Sequence, residues 1–180
     1  MTLQLPELQH DCNACSGLCC VVLPFDADQG FGFDKEALTP CRHLRDDFAC
    51  GIHTELDAKG FKGCIHYTCH GAGQRVTRAF GESNWRSNPD KAHEIYAMFS
   101  SMQRLHALQA LLHTALGALG EGDWKARLLA QQQQLEQLCV QLEQQRAADV
   151  ETAIAQVHAL LRQLQTAPTI VAIRTARQSG

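Results

Sequence analysis

The chain has 180 residues, of which 45% are hydrophobic and 19% charged, and its formal net charge at pH 7 is −3. These values are typical of a soluble globular protein and argue against a strongly basic nucleic-acid-binding protein. No stretch approaches the roughly 18 apolar residues that a membrane span requires. The first ten residues lack the basic and apolar regions of a signal peptide. We therefore expect a cytoplasmic protein with no membrane partner and no nucleic-acid partner.

The chain opens with a cysteine-rich module, residues 1–86, which holds eight of the nine cysteines. In a reducing compartment, clustered cysteines hold metal more often than they form disulfides. Thiolates are soft donors that suit zinc and iron–sulfur clusters. The sequence therefore predicts a metal-binding module with zinc or an iron–sulfur cluster as its cofactor. The predicted ligands are Cys12, Cys15, Cys19, Cys20, Cys41, Cys50, Cys64 and Cys69.

The spacing of these cysteines leaves several arrangements open. The two-residue gap between the first two lets one tight turn present two sulfurs to one metal ion, whereas the other gaps are less regular. Cys19 and Cys20 are adjacent, so they serve different sites, bridge two metals, or include one non-ligand. Eight thiols suffice for two zinc ions, two iron–sulfur clusters, or one cluster with spare cysteines. His53, at a two-residue gap from Cys50, is an alternative ligand.

The rest of this module carries few signals of regular structure. Residues 21–25 form a short β-like run that Pro24 limits to an edge or an extended piece. Residues 52–59 predict one or two helical turns ended by Gly60. Residues 71–73, two of which are glycine, predict a turn after Cys69, the last of the predicted ligands. A core this thin is what small domains offset with a metal or a cross-link.

Three helices are predicted within residues 87–168. The first begins near Pro89, the second runs from Trp124 to about Ala147, and the third runs from about Asp149 to just before Pro168. The apolar stripe of the first helix consists of Ile95, Phe99, Met102, Leu105, Leu108, Leu112, Leu116 and Leu119. Short connections predict an antiparallel helical hairpin or a three-helix bundle, suited to self-association or to a protein partner.

The fold class is therefore mainly α, an irregular metal-binding module followed by a helical bundle and a tail of residues 169–180. Cys139 lies beside the apolar stripe of the second helix, where Leu128, Leu135 and Leu142 recur every seven residues. Because free cysteine packs as a small hydrophobic residue, we predict a packing role for Cys139 and not a ligand role.

The cysteine series also carries a resemblance to known proteins. It reads Cys12-x2-Cys15-x3-Cys19-Cys20, Cys41-x2-Leu44, Cys50-Gly-Ile and Cys64-x4-Cys69. This series resembles the YkgJ-like cysteine-cluster family, described as a zinc- or iron-chelating domain, with one extra residue before the Cys-Cys pair. A closer likeness is to the cysteine-rich module that precedes pentapeptide repeats in some bacterial proteins. It covers roughly residues 12–86, and stretches such as Phe48-Ala-Cys-Gly-Ile-His53 carry it.

The resemblance implies a metal-chelating module, and nothing about DNA mimicry, because this chain has no pentapeptide array. The leading hypothesis is a metal-binding protein whose helical region mediates self-association or partner binding. The alternative is a redox-active iron–sulfur sensor or an electron-transfer component of an enzyme system. No Ser/His/Asp set or phosphate-binding loop can be argued from the sequence, so a binding role is favoured over catalysis.

Overall fold

A computed structural model describes residues 8–167, and the predicted mainly helical class is confirmed. The six α-helices are α1 Leu18–Val22, α2 Lys62–His66, α3 Ala72–Phe80, α4 Ala92–Gly117, α5 Asp123–Glu143 and α6 Val150–Thr166. Single 3₁₀ turns lie at Cys12–Ala14, Ala27–Gln29, His53–Glu55 and Pro89–Lys91. Two isolated antiparallel bridges join Phe25 to Lys35 and Leu44 to Cys50. The predicted tail, residues 169–180, lies outside the described residues.

The chain divides into two compact units between Ala107 and Leu108, a point inside α4. The helical part was predicted to start near residue 87, and the first long helix does follow the turn Pro89–Lys91 at once. The compact units are nevertheless divided later in the chain, because the first half of α4 packs with the cysteine-rich residues. Ile95, Phe99 and Met102 on this half are all buried.

The short helix α1 replaces the extended piece that the sequence predicted for residues 21–25. Gly17 adopts the left-handed conformation, φ 68°, just before the helix, which lets the chain turn into α1. Leu18, Val21 and Val22 are then buried on the inner face of the helix. The extended prediction was wrong for the two valines, and it holds only from Leu23, where the chain leaves α1 before Pro24.

Helix α3 occupies the place where the sequence predicted a turn. Gly71, φ 81°, precedes the helix, and Gly81, φ 60°, follows it, so the two glycines cap its start and its end. Between them Ala72, Val76 and Phe80, spaced four apart, are buried. Three apolar residues are too few to reveal a helical period in the sequence. They nevertheless suffice to pack this nine-residue helix against the core.

The second unit contains the end of α4 with α5 and α6. Arg127 donates to Gln163 at 2.7 Å and Gln134 donates to Gln156 at 3.1 Å, a register in which α5 and α6 run antiparallel. The predicted stripe of α4 is confirmed as far as Leu116, and the Cys139 side chain is fully buried, as its predicted packing role requires. Among the described helices, none combines the length and apolarity needed to cross a membrane.

Candidate metal centre

The segment that carries the first two cysteines is tied to helix α3. The backbone N–H of Asp11 donates to the side-chain oxygen of Gln74, and the backbone N–H of Ser16 donates to the Thr77 hydroxyl at 3.0 Å. The Asp11 carboxylate also accepts from the N–H of Asn13 at 2.9 Å, which starts the turn Cys12–Ala14. These bonds hold the first two cysteines beside the N-terminal turns of α3.

Gly73, in the first turn of α3, lies between two sulfurs. A Cβ atom at this position would be 2.7 Å from Cys15 Sγ and 3.8 Å from Cys69 Sγ. Cys69 itself precedes the helix, and its carbonyl oxygen accepts from the N–H of Ala72 at 3.0 Å. The two sulfurs therefore approach one point of the helix, and a side chain there would collide with that of Cys15.

Cys19 and Cys20 stand at the middle of the cluster, on α1. Their sulfurs are 3.9 Å apart. The carbonyl oxygen of Cys20 accepts from the backbone N–H of Cys41 at 2.9 Å, and that of Val22 accepts from Leu38 at 3.3 Å. The chain thus returns along α1 after the loop of residues 23–40, and this return places Cys41 next to Cys20.

Cys50 is positioned by a tight reversal of the chain, and Cys64 by a short helix. The backbone pairing of Leu44 with Cys50, and a 2.8 Å bond from the N–H of Gly51 to the carbonyl of His43, fold residues 43–51 back on themselves. Cys64 lies in α2, which is held by a 2.8 Å bond from the N–H of Gly63 to the carbonyl of Gly30.

Backbone N–H groups point at three of the sulfurs. The N–H of His43 donates to Cys41 Sγ at 3.4 Å. Burial is the main cause that raises the pKa of Cys41, and this N–H opposes the rise. Burial likewise raises the pKa of Cys50 against the N–H of Ile52, and that of Cys15 against the N–H groups of Leu18 and Gly17. N–H donors of this kind stabilise a thiolate, and they are common around metal-bound sulfur.

Two other thiols, those of Cys12 and Cys64, hold their protons tightly. Burial, followed by the charges of neighbouring thiols, raises the pKa of Cys12 to about 11 and that of Cys64 to about 12. In the contacting pair, the hydrogen bond between the two thiols raises the pKa of Cys19 and lowers that of Cys20. A thiol with a raised pKa is neutral at pH 7, and a metal ion must displace its proton to bind.

Lys35 is a buried cation beside the cluster. Its residue is only 7% exposed, and its ammonium donates to the carbonyl oxygens of Val21, Glu36 and Thr39. Burial lowers its pKa, and the charges of the Cys41, Cys20 and Cys19 thiols oppose that change. No carboxylate in residues 8–167 forms an ion pair with this ammonium. The acidic groups that affect its pKa are therefore thiols.

Tyr67 places a second polar group against the sulfurs. Its hydroxyl is buried and has no hydrogen-bond partner within the described residues. Burial raises the pKa of Tyr67, and the charges of Cys19, Cys69, Cys15 and Cys20 add to the rise. A buried hydroxyl without an acceptor is costly, and a thiolate is an acceptor that would satisfy it.

The structure thus gathers all eight predicted ligands in one unit, and no disulfide joins them. Among residues 8–167, no three Cys, His, Asp or Glu side chains already stand in an arrangement that holds one metal ion. His53 is exposed, and only its backbone bonds toward the cluster, with the N–H 3.4 Å from the carbonyl of Cys50. Sequence reasoning missed Lys35 and Tyr67; the position of Tyr67 between Cys64 and Cys69 was the one available signal.

Comparison with known proteins adds one relative. The uncharacterized protein YybG of Bacillus subtilis (strain 168) is 45% identical to this chain over 111 residues. The similarity covers 61% of this chain and 40% of YybG, so the chain spans well under half the length of that relative. No protein-family model and no solved structure matches the chain.

Proposed function

We propose that this chain is a metal-binding protein that holds zinc or an iron–sulfur cluster through its clustered cysteine thiolates. The observation that carries the proposal is that the fold gathers eight free cysteines in one unit, with the sulfurs of Cys19 and Cys20 only 3.9 Å apart. The buried Lys35 ammonium adds support, because its hydrogen bonds go to backbone carbonyls and it forms no ion pair with a carboxylate within residues 8–167. Its charge would offset that of thiolates formed on metal binding.

The surrounding groups fit thiolates better than they fit thiols. The Tyr67 hydroxyl needs an acceptor, and backbone N–H groups are directed at Cys15, Cys41 and Cys50. Each of these donors gains when sulfur carries a negative charge, because charge-assisted hydrogen bonds are about twice as strong as neutral ones. The donor set is sulfur throughout, which favours zinc or iron–sulfur over calcium or magnesium.

Metal binding would organise a unit that has little regular structure. The eight cysteines lie in the segment of residues 11–16, on α1, at positions 41 and 50, on α2 and just before α3. Because no three ligand groups within residues 8–167 stand ready around one point, side chains must rotate as the metal binds. A bound metal would supply the positive charge that draws these segments together, so loading should stabilise the unit.

Anaerobic purification followed by elemental analysis and an absorption spectrum tests the proposal. Zinc in a colourless protein, or iron with visible absorption that bleaches on reduction, would support it and identify the cofactor. A chain that carries no metal, and that binds none when Zn²⁺ or iron with sulfide is supplied, would contradict it.

A matched pair of variants tests whether the cluster is responsible. Cys15→Ser should lower the bound metal, because Cys15 belongs to the cluster. Cys139→Ala is the control, because Cys139 is buried in the second unit and should not affect metal content. Equal metal loss in both variants would show that bound metal depends on general stability and not on the cluster.

A further inference from the structure

Resting on the proposed function, we propose that the eight thiols form two adjacent four-thiolate centres that load separately. The first centre comprises Cys12, Cys15, Cys19 and Cys69. The second comprises Cys20, Cys41, Cys50 and Cys64. The chain order alone does not give this division, because Cys69, the last cysteine of the cluster, joins the first segment.

The division begins at α1, where two consecutive cysteines share one helix. Consecutive side chains on an α-helix point about 100° apart, which favours different partners for the two cysteines. Their sulfurs are 3.9 Å apart, so two centres that use one of them each would lie side by side.

Contacts at α3 define the first centre. Cys15 Sγ and Cys69 Sγ both lie within 3.8 Å of the point where a Gly73 Cβ would stand. The segment that carries Cys12, residues 11–16, is hydrogen-bonded to the same helix through Gln74 and Thr77. The beginning and the end of the cysteine series thus meet at one end of α3.

Backbone pairing defines the second centre. Cys41 is bonded to the carbonyl of Cys20 at 2.9 Å, and the Leu44–Cys50 bridge folds Cys50 back toward Cys41. Cys64 enters on α2, whose Gly63 is fixed to the loop that follows α1. This group of residues is therefore connected to α1 through Cys20 and the loop that follows it.

Each centre also has its own polar neighbour. The Lys35 ammonium donates to the carbonyl oxygens of Val21 and Thr39, which lie close to Cys20 and Cys41 in the chain, and so it is placed at the second centre. The buried Tyr67 hydroxyl, which has no hydrogen-bond partner within residues 8–167, belongs to the residue two before Cys69 of the first centre. Four thiolates around one Zn²⁺ leave two negative charges, of which Lys35 would offset one at the second centre, whereas the donors at the first are uncharged.

The wild-type chain with Zn²⁺ as the probe provides the test. Reduced protein is loaded anaerobically, zinc is withdrawn in steps with a chelator, exposed thiols are alkylated, and native and peptide mass spectra are recorded. We expect two zinc ions per loaded chain. In the one-zinc species we expect four alkylated cysteines that all belong to one centre.

Three results would overturn the division: one zinc per loaded chain, a one-zinc species alkylated across both centres, or a direct passage from two zinc ions to none. Absence of any zinc would instead contradict the proposed function, so the two failures are distinguishable. This experiment uses the wild-type chain, so its result does not depend on whether altered chains fold.

Two substitutions that keep every thiol refine the test. Lys35→Met should speed zinc loss from the second centre about tenfold and expose Cys41 and Cys64 to alkylation first. Tyr67→Phe should favour loss from the first centre and expose Cys12 and Cys15 first. If either substitution accelerates alkylation at both centres equally, the assignment of Lys35 and Tyr67 to separate centres is wrong.

Discussion

The side chain of His106 on α4 donates through Nδ1 to the carbonyl oxygen of His70, at 2.6 Å. A carbonyl oxygen only accepts hydrogen bonds, so Nδ1 carries the proton and Nε2 is left with its lone pair. Nε2 in turn lies 3.4 Å from Nη1 of Arg75, a guanidinium that can only donate. This relay joins the first half of α4 to the residue that follows Cys69.

Replacing His106 by leucine should therefore destabilise the cysteine-rich unit. His106 is 1% exposed, and the substitution removes a donor from the carbonyl of His70 and an acceptor from Arg75. We expect the free energy of unfolding to fall by about 1–3 kcal/mol, the cost typical of a broken buried hydrogen bond. Chemical denaturation measures it. His113→Leu on the exposed face of the same helix is the control, and an equal effect of both would count against the relay.

Gly73→Ala should disturb the sulfurs without removing one. The added methyl would lie 2.7 Å from Cys15 Sγ, closer than real Cβ contacts allow, so the sulfur or the helix must shift. We expect lower zinc content and a loss of stability of about 1–3 kcal/mol, as for other overpacked sites. Elemental analysis and thermal denaturation together measure both effects.

Gly117→Ala is the matched control for that substitution. Gly117 also lies within a helix, at the end of α4, and a Cβ there would meet nothing within 4 Å. Alanine favours helix over glycine by up to about 1 kcal/mol, so this variant should keep its zinc and lose no stability. If Gly73→Ala behaves in the same way, the close approach of Cys15 to α3 does not matter for binding.

The long helices could be predicted from the sequence because each buries a stripe with a clear period. Ile95, Phe99 and Met102 at steps of three and four were enough to place α4, and their burial confirms the stripe. Helix α3 could not be predicted, since its seating depends on distant partners such as the Ser16–Thr77 contact. Such contacts join residues about 60 positions apart and leave no local period.

For the candidate site, too, the features that are local in the sequence could be predicted, whereas those that depend on distant contacts could not. Thiol chemistry and crowding identify Cys12, Cys15 and their counterparts from the sequence alone. Neither spacing nor composition indicates that Lys35, in a loop rich in acidic residues, is buried with its ammonium facing sulfur. That placement follows from the Phe25–Lys35 bridge, which only the folded chain provides.

Asp149 should make the stability of α6 depend on pH. Its carboxylate caps the helix by accepting from the N–H of Thr152 at 3.0 Å, and this bond lowers the pKa of Asp149. A carboxylate with a lowered folded-state pKa stabilises the fold above its unfolded pKa, and this contribution is lost as pH falls through the folded value. Asp149→Asn keeps a capping residue that does not titrate. Wild type should therefore lose stability relative to this variant as pH falls below about 4, measured by denaturation at each pH. A difference that stays constant with pH would contradict the cap.

Gln132 offers a substitution that should stabilise the second unit. It is 1% exposed on α5, and neither its amide nitrogen nor its amide oxygen has a hydrogen-bond partner within residues 8–167. A buried polar group without partners costs about 1–3 kcal/mol, so Gln132→Leu should raise the free energy of unfolding by an amount in that range. Gln133→Leu, on the exposed side of the same helix, should change it by no more than about 0.5 kcal/mol. Chemical denaturation of both variants gives the comparison. A loss of stability in Gln132→Leu alone would mean that the Gln132 amide finds a polar partner in solution, and that the interior of this unit is less apolar than its helical stripes indicate.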